Sequence, residues 1–201
     1  MKKFITSLLI IMIKIGLTGG IGVGKTYVAK IFENLGAPVF NADKEAKHCL
    51  NSDLQLMDSI KKMFGKNIYE NNLLQTTLLA NIVFNDKTKL EALNNLVHPV
   101  VKKKFSLWAK KQKSNFVIKE AAILFESNSH LNLDLVICVS APKSLRISRI
   151  IQRDKLSISE LEGRIKSQMP QKEKENLSNY VIYNDEKKML LPQIIKIYNS
   201  I

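Results

Sequence analysis

Residues 12–36 read MIKIGLTGGIGVGKTYVAKIFENLG, and this stretch decides the fold. Gly19, Gly24, Lys25 and Thr26 match G-x-x-x-x-G-K-[ST], and Gly19, Gly20, Gly22 and Gly24 make up half of the chain's 8 glycines. Glycine has no Cβ, so the backbone can take positive φ and let another group come close. In such a loop the N–H groups along Gly19, Gly20, Ile21, Gly22, Val23 and Gly24 wrap phosphate oxygens. Lys25 meets the β- and γ-phosphates, and the Thr26 hydroxyl sits on Mg²⁺. The motif needs a strand before it and a helix after it. Met12 to Thr18 is a short apolar β-prone run suited to a buried strand. Downstream, Val28, Ile31, Phe32 and Leu35 fall on one helical face, and Gly36 and Pro38 stop the helix.

The 201 residues suffice for one domain, or one core with insertions, and 45% hydrophobic and 24% charged residues fit a globular chain. Cys49 and Cys138 are far apart, and neither belongs to a C-x-x-C. They read as buried thiols in a reducing compartment, so the expected localisation is cytoplasmic. Three scattered histidines and two cysteines do not make a metal cluster. The net charge of +13 is spread over many lysines with few aromatics between them, as in VKKKFSLWAKKQK. That pattern is a solvated basic surface, and no nucleic-acid partner is expected. The start, MKKFITSLLIIMI, has the basic and apolar character of a secretory signal but no A-x-A-like cleavage site. It is too short to span a bilayer, so no membrane partner is expected. It flows straight into the strand before the loop. Residues 1–11 read as an N-terminal extension, with Met12 a natural start for the domain.

Further strands are expected at Ala37 to Asn41, Phe116 to Lys119, Leu135 to Val139 and Asn179 to Asn184, with a helix over LLPQIIKIYNSI at the C-terminus. Residues 44 to about 113 carry leucines and valines at helical spacing, with a break or new helix start at His98-Pro99. Strands alternating with helices predict an α/β fold. With the family resemblance given below, it would be a P-loop kinase with a parallel five-stranded sheet flanked by helices, an inserted helical substrate-binding subdomain and a helical lid. Over 12–201 the core takes 12–43, 114–141 and 179–201, the substrate subdomain 44–113 and the lid 142–178. Ligands in such sheets bind beyond the C-terminal strand ends, where the 19–26 loop, Asp43 and Glu120 all fall.

Two more stretches carry chemistry. Asp43 follows the second strand. A carboxylate opposite a phosphate loop can orient or deprotonate an attacking hydroxyl. An aspartate before KEAKH can equally be a helix N-cap, and both readings stay open here. Arg146, Arg149 and Arg153 share one helical face, while Ser159 and Glu162 form a capping box ahead of Arg164 and Gln168. Arginine-bearing helices between the fourth and fifth strands fit a lid that binds phosphate and excludes water.

The motifs IGLTGGIGVGKT, NADKEAKH, HPVV, AAILFES, RIIQRD, RIKSQMP and YVIYND occur in one order. From Met12 onward the chain resembles dephospho-CoA kinases. The resemblance implies transfer of the ATP γ-phosphoryl group to the 3′-hydroxyl of the dephospho-CoA ribose, with ATP and Mg²⁺ required and a monomer or weak homo-oligomer. It implies that Asp43 acts on the hydroxyl, that Arg149 and Arg153 are the lid arginines, and that Asn184 contacts adenine. His48 and His98 fall on the substrate side. Three departures stand out: Asn41 where the family often has aspartate, Ala122 in place of proline, and Glu120 where aspartate is common. Glu120 is a candidate for Mg²⁺ through water. The alternative is another small-molecule kinase of the shikimate or nucleoside-monophosphate type. A nucleotide-binding regulatory or nucleic-acid-associated protein is the other class of reading.

Overall fold

The first strand, β1 (Ile13–Thr18), sits at the centre of a parallel sheet, and its residues from Ile15 to Thr18 are all buried. Our computed structural model describes residues 12–84, 86–154, 161, 163 and 165–201. The other strands of this sheet are β2 (Val39–Asn41), β5 (Phe116–Glu120), β6 (Leu135–Ser140) and β7 (Tyr180–Tyr183), in spatial order β2-β5-β1-β6-β7. All four neighbouring pairs are parallel.

Alternate residues of β1 face opposite layers. Ile15 and Leu17 are fully buried against Val28 and Phe32 of α1 (Lys25–Asn34) and Ile194 and Ile197 of α8 (Leu190–Tyr198). Burying a side chain such as Phe32 contributes about 1.5–3 kcal/mol. Gly16 faces the other layer, where a Cβ would collide with Leu124 and Leu133 side chains. That layer holds α2 (Ala42–Ser52), α3 (Leu54–Phe64), α4 (Thr76–Phe84) and α5 (Lys87–Ala109). These helices enclose a second core around Cys49, Ile60, Ile68 and Leu124. Both cysteines are free and buried. Among the described residues, α6 (Lys143–Asp154) follows β6 and α7 (Gln171–Asn176) precedes β7.

One expectation changes. His98-Pro99 does not break the chain, since Pro99 lies inside the continuous α5 helix. Proline removes only the one bond its N–H would have donated to Asn95, and Val97, Val101 and Phe105 stay buried on the core face. The 44–113 region is mostly helical, as expected. It contains a small antiparallel hairpin, β3 (Tyr69–Glu70) and β4 (Leu73–Leu74), turned by Asn71 and Asn72 at φ 48° and 63°. Positive φ at both central residues is the type I′ pattern, which asparagine tolerates. Residues 1–11, the Ser159–Glu162 capping box and Arg164 lie outside the described residues.

Candidate active site

The loop between β1 and α1 ends in Gly24, whose φ of 89° is left-handed. A Cβ there would also strike the Asn184 amide, so only glycine fits both backbone and neighbour. Helix α1 begins immediately after, and its axis brings partial positive charge to the loop. Among the described residues, the N–H groups of Gly22, Gly24, Lys25 and Thr26 make no hydrogen bond within the protein. Gly20 and Ile21 differ: their N–H groups donate to Gln171 Oε1 and Gln168 Oε1, both at 2.9 Å. Arg146, buried at 7% exposure, donates through Nε to Ile21 O at 2.9 Å. The α6 and α7 side of the fold therefore supports the front of the loop and leaves its rear free for phosphate. Val23 is fully buried and anchors the loop in the core.

Lys25 folds back along the loop, donating from Nζ to Gly19 O at 2.8 Å. Burial pulls its ammonium down to about 8, partly offset by the charges of Asp43 and Glu120. Thr26 donates its hydroxyl to Glu120 Oε1 at 2.8 Å, and Asn41 Nδ2 donates to Glu120 Oε2 at 2.7 Å. Glu120 is 4% exposed, at the end of β5. The asparagine at 41 thus meets a buried carboxylate with a donor, where an aspartate would oppose it with like charge. Asn41 is also the N-cap of α2, accepting from Lys44 N at 2.8 Å. The cap alternative for Asp43 is thereby displaced by two residues.

Asp43 itself stands in the first turn of α2, exposed, accepting at Oδ2 from Ala122 N at 3.2 Å. Proline at 122 would lack that donor. The Ala122 carbonyl accepts from Lys174 Nζ at 2.7 Å, and Lys174, fully buried, pairs with Glu126 at 2.7 Å. Nothing in the sequence marked Lys174, since buried lysines look like surface ones in a basic chain. Its place four residues into a helix opened by Pro170, beside Glu173 and Glu175, carried no hint of its burial.

One cleft of about 670 Å³ is lined by Ile21 to Thr26 without Val23, by Asp43 and Glu120, and by Arg149, Arg153 and Gln168. The structure thus brings together the loop, both carboxylates and two of the three aligned arginines. Arg149 Nη2 donates to Glu186 Oε1 at 2.8 Å and to the Asn184 carbonyl at 3.2 Å, while its Nη1 is buried without a hydrogen bond. Arg146 does not line the cleft; it holds the loop through the Ile21 carbonyl. Asn184 donates from Nδ2 to Val23 O at 2.9 Å. His48 is exposed on α2, and His98 on α5 lines two smaller cavities, one of which reaches Asp43 on α2.

A glycine loop at the edge of a parallel sheet, followed by a lysine, a hydroxyl and facing carboxylates, defines a phosphate-loop kinase. Comparison with known proteins narrows the class. A family model described as dephospho-CoA kinase matches residues 13–189. Proteins named dephospho-CoA kinase are 37% identical in Bacteroides fragilis, over 92% of this chain and 91% of that one, and 34% identical in Porphyromonas gingivalis, over 94% and 95%. A dephospho-CoA kinase structure from Campylobacter jejuni superposes with a TM-score of 0.65 at 28% identity, covering 93% of this chain and 96% of that one. A Thermus thermophilus crystal structure superposes at 0.85 with 30% identity, covering 94% and 97%. A shikimate kinase from Acinetobacter baumannii, at 15% identity and 0.55, shares the fold alone. The chain belongs to the dephospho-CoA kinase family.

Proposed function

We propose that this protein transfers the γ-phosphoryl group of ATP to the 3′-hydroxyl of dephospho-CoA, giving coenzyme A and ADP. The observation that carries the reading is the single cleft holding Asp43 across from Lys25 and the open loop N–H groups. The loop and Lys25 bind the triphosphate. Asp43, tethered by Ala122, accepts the proton of the sugar hydroxyl or orients it for in-line attack. Arg149 and Arg153 line the cleft from α6 and complement charge on the transferring group. Arg149 Nη1 has a spare donor for that purpose. Asn184 stays on the adenine side of the proposal, with its Nδ2 already given to Val23.

Magnesium fits the oxygens present. Among the described residues no cluster of three or more histidine, cysteine or acidic side chains could hold a metal ion. Thr26 and Glu120 would share the ion with phosphate oxygens and water, as Mg²⁺ prefers. When bound, it supplies electrostatic neutralisation of the phosphate oxygens. The 44–113 region receives the acceptor and 142–178 closes as a lid that keeps water from competing. No described helix is long and apolar enough to cross a membrane. We place the protein in the cytoplasm, as a monomer or weak homo-oligomer with no nucleic-acid partner.

The test is ADP release measured with dephospho-CoA, shikimate and AMP as acceptors. Turnover that depends on dephospho-CoA is expected. Preference for shikimate or AMP rejects the acceptor assignment, and acceptor-independent ATP turnover with salt-sensitive nucleic-acid binding rejects the kinase reading.

A further inference from the structure

Strand β5 sends consecutive side chains to opposite faces. Glu120 turns to Thr26 on the α1 side, whereas Lys119 turns to α5, with Nζ 5.4 Å from the Phe105 ring centre. Lys119 is 6% exposed, and its ammonium makes no hydrogen bond or ion pair with any described residue. A lysine that deeply buried is rare unless paired. Burial and the neighbouring Lys102 push its ammonium below the ordinary lysine range, against the opposing pull of Asp43.

Lys119 stands where two cavities meet. The inner one, about 210 Å³, reaches Asp43 and has an apolar floor including Leu50, Leu93 and Val97. The outer one, about 470 Å³, is lined by Lys14, Lys102, His98 and several serine and asparagine side chains, with no aspartate or glutamate among its described lining residues. His98, Lys119, Ser127 and Ser129 line both. Asp43 also lines the phosphate cleft, so the three spaces run in series from the loop past Asp43 to Lys119. An acceptor with its reacting hydroxyl at Asp43 has its sugar and base facing the apolar inner cavity. Its own anionic group then lies towards the lysines.

We propose that Lys119, with Lys102, Lys14 and His98, forms a second anion site that takes the 5′-diphosphate of the acceptor nucleotide. The site rests on the acceptor reading above and deepens it. It makes Lys119 a specificity residue: it favours acceptors that carry a diphosphate beyond the sugar, and it stands apart from the ATP phosphates.

The experiment is steady-state kinetics of the whole protein with dephospho-CoA and ATP for wild type, Lys119→Met, Lys119→Arg and Lys102→Met. Lys119→Met should raise the KM for dephospho-CoA by about 10- to 100-fold, the scale of one hydrogen bond to a charged group. Its kcat and ATP KM should stay within about twofold, and Lys119→Arg should recover most of the loss. Lys102→Met, on an exposed helix face, should raise the acceptor KM about threefold, as a single screened charge would. An unchanged acceptor KM in Lys119→Met, or equal damage from methionine and arginine, overturns the site. Should Lys119→Met fail to fold, an unchanged acceptor KM in Lys102→Met overturns it instead. Absence of dephospho-CoA turnover in the wild type would sink the acceptor assignment. Wild-type turnover with normal acceptor KM in these variants would sink this pocket alone.

Discussion

Replacing Asp43 with asparagine separates chemistry from folding more cleanly than any other change in the cleft. The side chain is exposed, and its one hydrogen bond, from Ala122 N at 3.2 Å, can be accepted equally by an amide oxygen. The helix keeps its cap, since Asn41 does that work. Losing the negative charge from the first turn of α2 costs about 0.3–1 kcal/mol. For a chain of this size that lowers Tm by about 1–4 °C. Catalysis should suffer far more. A positioned base contributes about 10²–10⁴-fold, or about 2.7–5.4 kcal/mol of barrier. A second effect follows from charge. Asp43 is the first of the groups holding Lys25 up against its burial, so the Lys25 pKa should drop further in the variant. The assays are coupled ADP release at saturating dephospho-CoA and ATP titration by calorimetry across pH 6.5–9.5, a range chosen to bracket the value of about 8. The expected outcome is a kcat loss of about two to four decades. ATP affinity at pH 6.5 should be unchanged, and the pH at which affinity fades should move lower. Turnover within about tenfold of wild type would refute the role given to Asp43.

The remaining predictions concern its neighbours. In the wild type, bound phosphate should raise the Lys25 pKa from its free value of about 8. ATP binding then takes up a proton above that pH, and affinity should fall towards about tenfold per unit as pH rises through it; a flat profile to pH 9.5 contradicts the loop geometry. Lys174→Met removes the ion pair to Glu126, which keeps only the Met169 N–H, and leaves the Ala122 carbonyl with only the longer Thr18 hydroxyl contact. With Glu126 partly exposed, we expect a loss of about 3 kcal/mol and a Tm lower by about 6–12 °C by differential scanning calorimetry. A shift under about 2 °C would mean the pair holds little. Ala122→Pro removes the donor to Asp43 and should lower kcat about three- to tenfold with ATP KM unchanged, as the loss of one hydrogen bond predicts. Asn41→Asp sets a carboxylate against Glu120 and should cost about 1–3 kcal/mol in denaturant unfolding; equal stability would show that the Asn41–Glu120 bond is dispensable.

Much of this architecture could be read from residue order, for identifiable reasons. The loop was legible because positive φ and close packing admit so few residues at Gly24. The strands were legible because both faces of a central parallel strand are buried, giving unbroken apolar runs. Asp43 and Glu120 could be placed because strand ends converge on one edge. What escaped was tertiary. Pro99 reads as a break locally, yet packing of α5 carries the helix through it. The Asn71-Asn72 turn was visible in YENNLL as a type I′ signal but is flanked by strands of only two residues. Arg146, Arg149 and Arg153 look equivalent at helical spacing. The resemblance singled out Arg149 and Arg153, and the fold gives the reason: Arg146 goes to the loop backbone and the other two line the cleft. Lys119 and Lys174 were hidden among many lysines, because burial of a charge is decided by long-range contacts.

The central claim is met most directly by identifying the product. Incubation with ATP, Mg²⁺ and dephospho-CoA, followed by ³¹P NMR and mass spectrometry, should show one new phosphomonoester on the ribose 3′-oxygen, formed in step with ADP. Phosphate released to water, or placed on any other hydroxyl, would contradict the account.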